Sequence, residues 1–402
     1  MKSVRWLPGG GGRPRAGRVL AEVALGIAGL ALAGLAGEWT LREFCPQRSA
    51  STLGMFREDP AAGYRLRENF GGEVRVVEYR TRVFTDADGL RVPANPGPDR
   101  LADRRILAIG DSFTFGVGVE AAQAFPEVLE RLLVTDGRPS SVRNGGVGGY
   151  GPLRASRLLS SSLGKWNPEI VVHTIYVGND LEDPEPDRYL SHPRVVDGRL
   201  VSDGRHPLFR LRKSLHIHSH LYSFLRERLY GVYRATGLAE RSRHLDPVGL
   251  AEWPARILRS SWPAGRDAVR DAAEETRELG GRYLVVVAPT RYQVDDDSWR
   301  RYRDRWRLPD SAFDRDHAQR EIVRDLQAMG VAVLDLLPGF RREAACGTRA
   351  YFDVDEHWTR EGHRIAAEEI AEELRRLGWI DSLPREEIAD ARARSRMEES
   401  QT

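Results

Sequence analysis

From residue 104 onward, short aliphatic runs rich in β-branched residues alternate with longer stretches of helical spacing. Ile106–Ile109, Ser141–Asn144, Ile170–Val177, Tyr283–Ala288 and Val331–Leu336 have the length and composition of buried strands. Between them, Ala121–Leu133 places Phe125, Val128, Leu129, Leu132 and Leu133 on one helical face, and Pro152–Leu163 opens with proline in a first turn. Further helical spacing covers roughly 267–279, 312–329 and 360–377. Strands that alternate with helices predict an α/β fold, a parallel sheet covered on both faces.

The rest of the chain is organised around this domain. Residues 1–18 carry five basic residues and no acid. Residues 19–37 form an apolar run long enough to cross most of a bilayer as a helix. The basic flank predicts a cytoplasmic N-terminus and an exported remainder, periplasmic or extracellular. Two readings stay open: an uncleaved single-pass membrane anchor, or a signal peptide cut near Ala36. Residues 38–103 read as a β-rich connecting segment, with Val74–Phe84 as one strand and Asp86–Gly89 as a turn. The α/β domain spans 104–380, interrupted by an insertion at about 181–265 that is expected to pack beside or over the site. A charged tail follows at 381–402. A net charge of +2, from 61 basic and 59 acidic residues, gives no argument for a nucleic acid partner. Cys45 and Cys346 form no CxxC or Cys/His cluster, so no metal or cofactor is expected; whether they pair stays open.

Chemistry concentrates at four strand ends. Ile106–Ile109 runs into Gly110-Asp111-Ser112, which places a serine hydroxyl beyond the carboxyl end of a strand, where ligands bind in open α/β sheets. Asn144 to Gly151 is glycine-rich and leaves backbone N–H groups free to approach a ligand, as an oxyanion hole needs. After Ile170–Val177 come Gly178-Asn179-Asp180, and Asn179 can donate its side-chain amide to a developing oxyanion. In Tyr351 to His363, His357 has the chemistry of a general base, with Asp355 or Asp353 as its orienting acid. Along an extended segment Asp355 and His357 project to one side, whereas Asp353 lies about 13 Å from His357. Thr359 and Gly362 fit the start of a helix.

Taken in this order, the blocks resemble the SGNH/GDSL hydrolase family over about 104–378. Gly110-Asp111-Ser112 resembles its first block, Gly149 the glycine of its second, and Gly178-Asn179-Asp180 its third. Asp355-x-His357-Trp358-Thr359 with Gly362-His363 resembles its last block in the bacterial Asp-x-His variant. The more familiar Asp-x-x-His spacing would put Val354 at the acid position, where it cannot serve. The residues after Ser112 and the preceding Asp-Gly-Leu-Arg91 also look like bacterial members associated with envelope polysaccharide synthesis.

The resemblance implies a three-layer α/β/α, flavodoxin-like sandwich and an ester-cleaving serine enzyme. It gives Ser112 as nucleophile, His357 as base and Asp355 as orienter, with the Ser112 and Gly149 N–H groups and Asn179 holding the oxyanion. Three functions remain open: a hydrolase that deacylates an envelope or extracellular glycan, an O-acyltransferase using the same triad, or a non-catalytic binding protein that kept the fold. The substrate in the first two is an acylated small molecule or glycan. The remaining features read as structural. His216, His218 and His220 suit a surface or packing role, Asp295–Asp297 a solvated loop near the site mouth, and Trp299–Trp306 a loop packed on the domain.

Overall fold

The computed structural model describes residues 16–44, 54–75, 78–95, 104–134, 140–178, 180, 194–196, 198–201, 215, 219–222, 224–225, 228–229, 262–306, 314–353 and 355–380. The chain divides into two units. One joins Met1–Ser49 to Arg205–Ala239, and the other joins Ala50–Gly204 to Glu240–Thr402.

In the first unit, helix α1 spans Ala16–Phe44 and continues past the expected end at Gly37. Trp39 to Phe44 contain no helix breaker, an Arg42–Glu38 pair at 2.7 Å supports the last turns, and Pro46 disfavours further helix. Within it, Glu22–Phe44 is long and apolar enough to cross a membrane, and none of that stretch is buried. The Glu38 carboxylate accepts from the Ser219 hydroxyl at 2.8 Å and from the His220 and Leu221 N–H groups at 2.9 and 2.8 Å. It thereby caps the helical residues 220–222 from a distant part of the chain. His216 and His218 lie outside the described residues, as does most of the 181–265 insertion.

In the second unit, the N-terminal segment folds into β1 (Phe56–Asp59), β2 (Gly63–Leu66), β3 (Gly71–Arg75), β4 (Arg80–Thr85) and β5 (Arg91–Val92). The single strand expected over Val74–Phe84 is instead a hairpin, β3 against β4 with Arg75 opposite Arg80. Glu78 and Tyr79 leave the ladder there and turn toward another part of the domain. The main elements follow as β6 (Arg104–Gly110), α2 (Ser112–Phe115), α3 (Phe125–Val134), β7 (Ser140–Gly146), α4 (Pro152–Ser161) and β8 (Ile170–Tyr176). A small antiparallel pair, β9 (Arg194–Val196) and β10 (Arg199–Val201), precedes α5 (Trp262–Glu278) and β11 (Arg282–Ala288). Then come α6 (Arg291–Val294), α7 (Asp296–Trp306), α8 (His317–Ala328), β12 (Ala332–Asp335), α9 (Leu337–Ala345) and α10 (Arg360–Arg376).

The main sheet has eight strands in the order β12-β11-β8-β6-β7-β5-β4-β3. From β12 to β7 every pairing is parallel, the doubly wound flavodoxin-like order in which the chain steps outward on both sides of β6. The β-rich segment is therefore not a separate connector: β5 pairs antiparallel with β7, and β4 and β3 extend the same sheet. Strand side chains alternate between two cores. Leu107, Ile109, Val171 and Val285 face α4, α5 and α8, whereas Ile106, Ala108, Val172 and Leu284 face α3, α9 and α10. Asp295–Asp297 open a helix rather than a loop. Asp295 accepts from the Asp297 N–H and the Ser298 hydroxyl, and acids at a helix N-terminus are favoured by its exposed N–H groups. Trp299 likewise lies on α7.

Candidate active site

Ser112 follows β6, Gly149 follows β7, and residues 178–180 follow β8, so three adjacent strands deliver their carboxyl ends to one place. This is the point where strand order reverses, which leaves a crevice in a doubly wound sheet. The turn into Ser112 depends on glycine. Gly110 has φ 144, and a Cβ there would lie 2.6 Å from the Thr174 carbonyl oxygen. A Cβ on Gly146 would lie 2.2 Å from the Phe115 nitrogen, so this glycine lets β7 approach α2. Asp111 caps α2, its carboxylate accepting from the Phe113 N–H at 2.8 Å.

His357 reaches Ser112 from the loop before α10. Its Nε2 lies 2.9 Å from Ser112 Oγ, and its Nδ1 lies 3.1 Å from Asp355 Oδ2. An ionised carboxylate only accepts, so Nδ1 carries the proton and Nε2 is free to accept from the serine hydroxyl. Phe113 packs its ring 5.1 Å from the imidazole, and Phe113 itself lies 4.2 Å from the Tyr176 ring. The loop is not the extended segment expected from the sequence. Asp355 sits in a turn and Glu356 has φ 62, an uncommon conformation for a residue with a side chain. The turn, not strand alternation, brings Asp355 to His357.

Asp353 is held elsewhere. Its carboxylate pairs with Arg349 and, at 2.8 Å, with Arg291, and these guanidiniums keep its carboxyl below the usual carboxylate range. Arg291 also donates to the Phe352 and Asp353 carbonyls at 3.1 and 2.8 Å, pinning one end of the loop. At the other end, Thr359 caps α10, and buried His363 accepts from the Phe125 N–H at 3.2 Å. Burial lowers the pKa of His363 to about 3, so it stays neutral and structural.

Beneath the serine lies a second acid. Asp111 is fully buried, its Oδ2 is 3.1 Å from Ser112 Oγ, and burial pushes its carboxyl above the ordinary range. Nearby, Asp180 accepts through Oδ2 from the Tyr176 N–H at 2.8 Å.

Gly149 is exposed at φ 80, a left-handed position suited to glycine, while Asn179 lies outside the described residues. Of the two cysteines, Cys346 is exposed and Cys45 lies outside the described residues.

The N-terminal β segment supports three of the four site loops, which the sequence alone does not reveal. Tyr64 of β2 donates to the Gly148 carbonyl at 3.1 Å, next to Gly149. Arg91 of β5, fully buried, donates to the carbonyls of Phe115, Gly116 and Val119, and its guanidinium lies 4.4 Å over the Phe115 ring. Glu78 accepts from the Asp355 N–H at 2.7 Å, and the Tyr79 hydroxyl donates to Asp355 Oδ2. The Asp-Gly-Leu-Arg91 motif is visible in the sequence. Its burial is not, because local spacing cannot show that an arginine at a strand edge points inward.

Comparison with known proteins bears on the second half of the domain. Residues 256–399 match the family described as "SGNH hydrolase-like domain, acetyltransferase AlgX", a stretch that includes Asp355 and His357 but not Ser112. No curated protein sequence matches the chain. Among solved structures, TesA is 13% identical, covering 68% of this chain and 99% of its own with a TM-score of 0.37. A G-D-S-L family lipolytic protein from Desulfitobacterium hafniense is 10% identical, covering 68% and 100%, with a TM-score of 0.37. A point variant of the acetyl xylan esterase Axe2 from Geobacillus stearothermophilus is 15% identical, covering 68% and 95%, with a TM-score of 0.36. The α/β domain has an SGNH-like fold with a mostly parallel sheet, and its residues 256–399 are similar to the SGNH hydrolase-like family.

Proposed function

We propose that this protein is a serine enzyme that removes a short acyl group from a hydroxyl of an envelope or extracellular glycan. The observation that carries the reading is the unbroken chain of contacts from Ser112 Oγ through His357 to Asp355. His357 takes the Ser112 proton as Oγ attacks the ester carbonyl, and Asp355 stabilises the imidazolium that forms. The tetrahedral oxyanion is held by the backbone N–H groups of Ser112 and Gly149 and the side chain of Asn179. Losing one such donor costs about a hundredfold or more in turnover. The imidazolium then protonates the departing sugar oxygen, and water activated by His357 releases the acyl group as its acid.

A second reading has one specific observation in its favour: the matched family's description names an acetyltransferase. If a glycan hydroxyl replaces water in the last step, the same residues transfer the acyl group. In either case α1 serves as anchor or signal sequence and the domain works outside the cytoplasm, as the basic N-terminal flank argues.

One experiment tests chemistry and location together. A charged, membrane-impermeant fluorophosphonate is applied to spheroplasts expressing wild-type or Ser112→Ala protein. Labelling of the wild type alone is expected. Labelling only after lysis would refute the location, and equal labelling of both proteins would refute the nucleophile. No labelling before or after lysis would favour a non-catalytic binding protein.

A further inference from the structure

The proposed triad consists of three side chains, yet its acid has a further partner that comes from outside the matched residues 256–399. Where β3 turns into β4, Glu78 and Tyr79 project onto the 352–357 loop. Tyr79 packs its ring 5.1 Å from that of Phe352, and its hydroxyl donates to Asp355 Oδ2. This is the oxygen that also accepts from His357 Nδ1. Next to it, Glu78 Oε2 accepts the Asp355 backbone N–H at 2.7 Å. The loop closes on itself through the Phe352 N–H to the His357 carbonyl at 2.9 Å and the Tyr351–Trp358 bridge, but these contacts fix its backbone and not the Asp355 carboxylate. Asp355 lies in a turn, followed by Glu356 in a left-handed conformation.

We infer that Tyr79 is a positioning residue for the reaction, acting on His357 solely through Asp355. Its hydroxyl fixes the carboxylate rotamer so that Oδ2 faces Nδ1, and the Glu78 contact fixes the backbone that carries the carboxylate. Burial and the neighbouring Asp355 carboxylate push the Tyr79 phenol well above its ordinary pKa, so it remains a donor throughout the pH range in which the enzyme would work. A hydrogen bond to an ionised acceptor is stronger and more directional than a neutral one, which suits it to holding one rotamer. The β-rich segment therefore contributes to the catalytic machinery as well as extending the sheet.

This inference rests on Asp355 being the orienter, and the test separates the two claims. The full-length protein is assayed for aryl acetate hydrolysis as Tyr79→Phe, Asp355→Asn and the double variant, with thermal melts on each. Tyr79→Phe keeps the ring against Phe352 and loses only the hydroxyl, so its melt should match the wild type.

The expected loss in kcat is about tenfold at unchanged KM, the lower end for a charge-assisted hydrogen bond to a partly exposed carboxylate. In the Asp355→Asn background, Tyr79→Phe should cost nothing further, because the group it acts through is already gone. An equal loss in both backgrounds, or no loss in either, would overturn the role of Tyr79 while leaving the triad intact. Asp355→Asn with wild-type kcat would overturn the triad assignment itself, and the role of Tyr79 with it.

Discussion

Replacing Arg91 with methionine should destabilise the protein by about 3 kcal/mol, and the structure supplies both sides of that balance. Arg91 is fully buried and donates to the carbonyls of Phe115, Gly116 and Val119, all on the buried loop that follows Ser112. Methionine fills similar volume but donates nothing. Each buried carbonyl left without a donor costs about 1–3 kcal/mol, so three of them cost roughly 3–9 kcal/mol. Against this, removing a buried guanidinium relieves a desolvation cost. Burial lowers the Arg91 pKa from 12.5 to about 10. That depression corresponds to about 3 kcal/mol. The net loss is roughly 0–6 kcal/mol, and near the middle because the donors that remain, Asn144 Nδ2 on the Phe115 carbonyl and the Val119 N–H on the Gly116 carbonyl, both lie at 3.4 Å and hold their acceptors weakly. Urea unfolding of the full-length protein in detergent, followed by tryptophan fluorescence, measures the difference. Arg91→Lys should recover part of the loss, since an ammonium can reach some of the same carbonyls. A methionine variant within about 0.5 kcal/mol of the wild type would show that the carbonyls find other donors and that Arg91 is not what shapes the loop.

Three further outcomes follow from acidic side chains. Asp355→Asn should lower kcat by roughly a hundredfold or more through loss of tautomer control. Asp353→Asn should change it less than about threefold, because Asp353 makes surface ion pairs with Arg291 and Arg349 worth about 0–1 kcal/mol each. A larger loss at Asp353 would move the acid there. Glu127, on α3, has its carboxyl pushed up to about 7 by burial and by the neighbouring Glu130. Because its folded pKa is raised, its contribution is fully present below the ordinary value of 4.5 and is lost as pH rises through about 7. Glu127→Gln should therefore match the wild type near pH 4.5 and exceed it at pH 8 by at most about 3 kcal/mol, less whatever solvent screens. Thermal melts at the two pH values that show the same difference would contradict this.

What can be read from the sequence and what cannot divide along a physical line. The parallel strands are legible because burial on both faces favours aliphatic runs: Leu284–Ala288 is unbroken, and Ile170–Ile175 is interrupted only by the buried His173 and Thr174. Gly110 is legible because a strand must turn sharply into Ser112, and only glycine tolerates φ 144 beside the Thr174 carbonyl. The β3–β4 break is not legible. Val74–Phe84 has strand composition throughout, and nothing local shows that Glu78 and Tyr79 meet Asp355, more than 270 residues later in the chain.

The same argument applies to the acid of the proposed triad. An extended segment would favour Asp355 over Asp353, yet the segment turns and Glu356 adopts φ 62. The distances still favour Asp355, for a reason no local pattern contains. Arg291 and Arg349 hold Asp353 away, while Tyr79 and Glu78 hold Asp355 in place. A sequence block can supply the residue types for a triad. Which acid faces the histidine is decided by partners that the fold brings from elsewhere, in this chain from a segment that reads on its own as a mere connector.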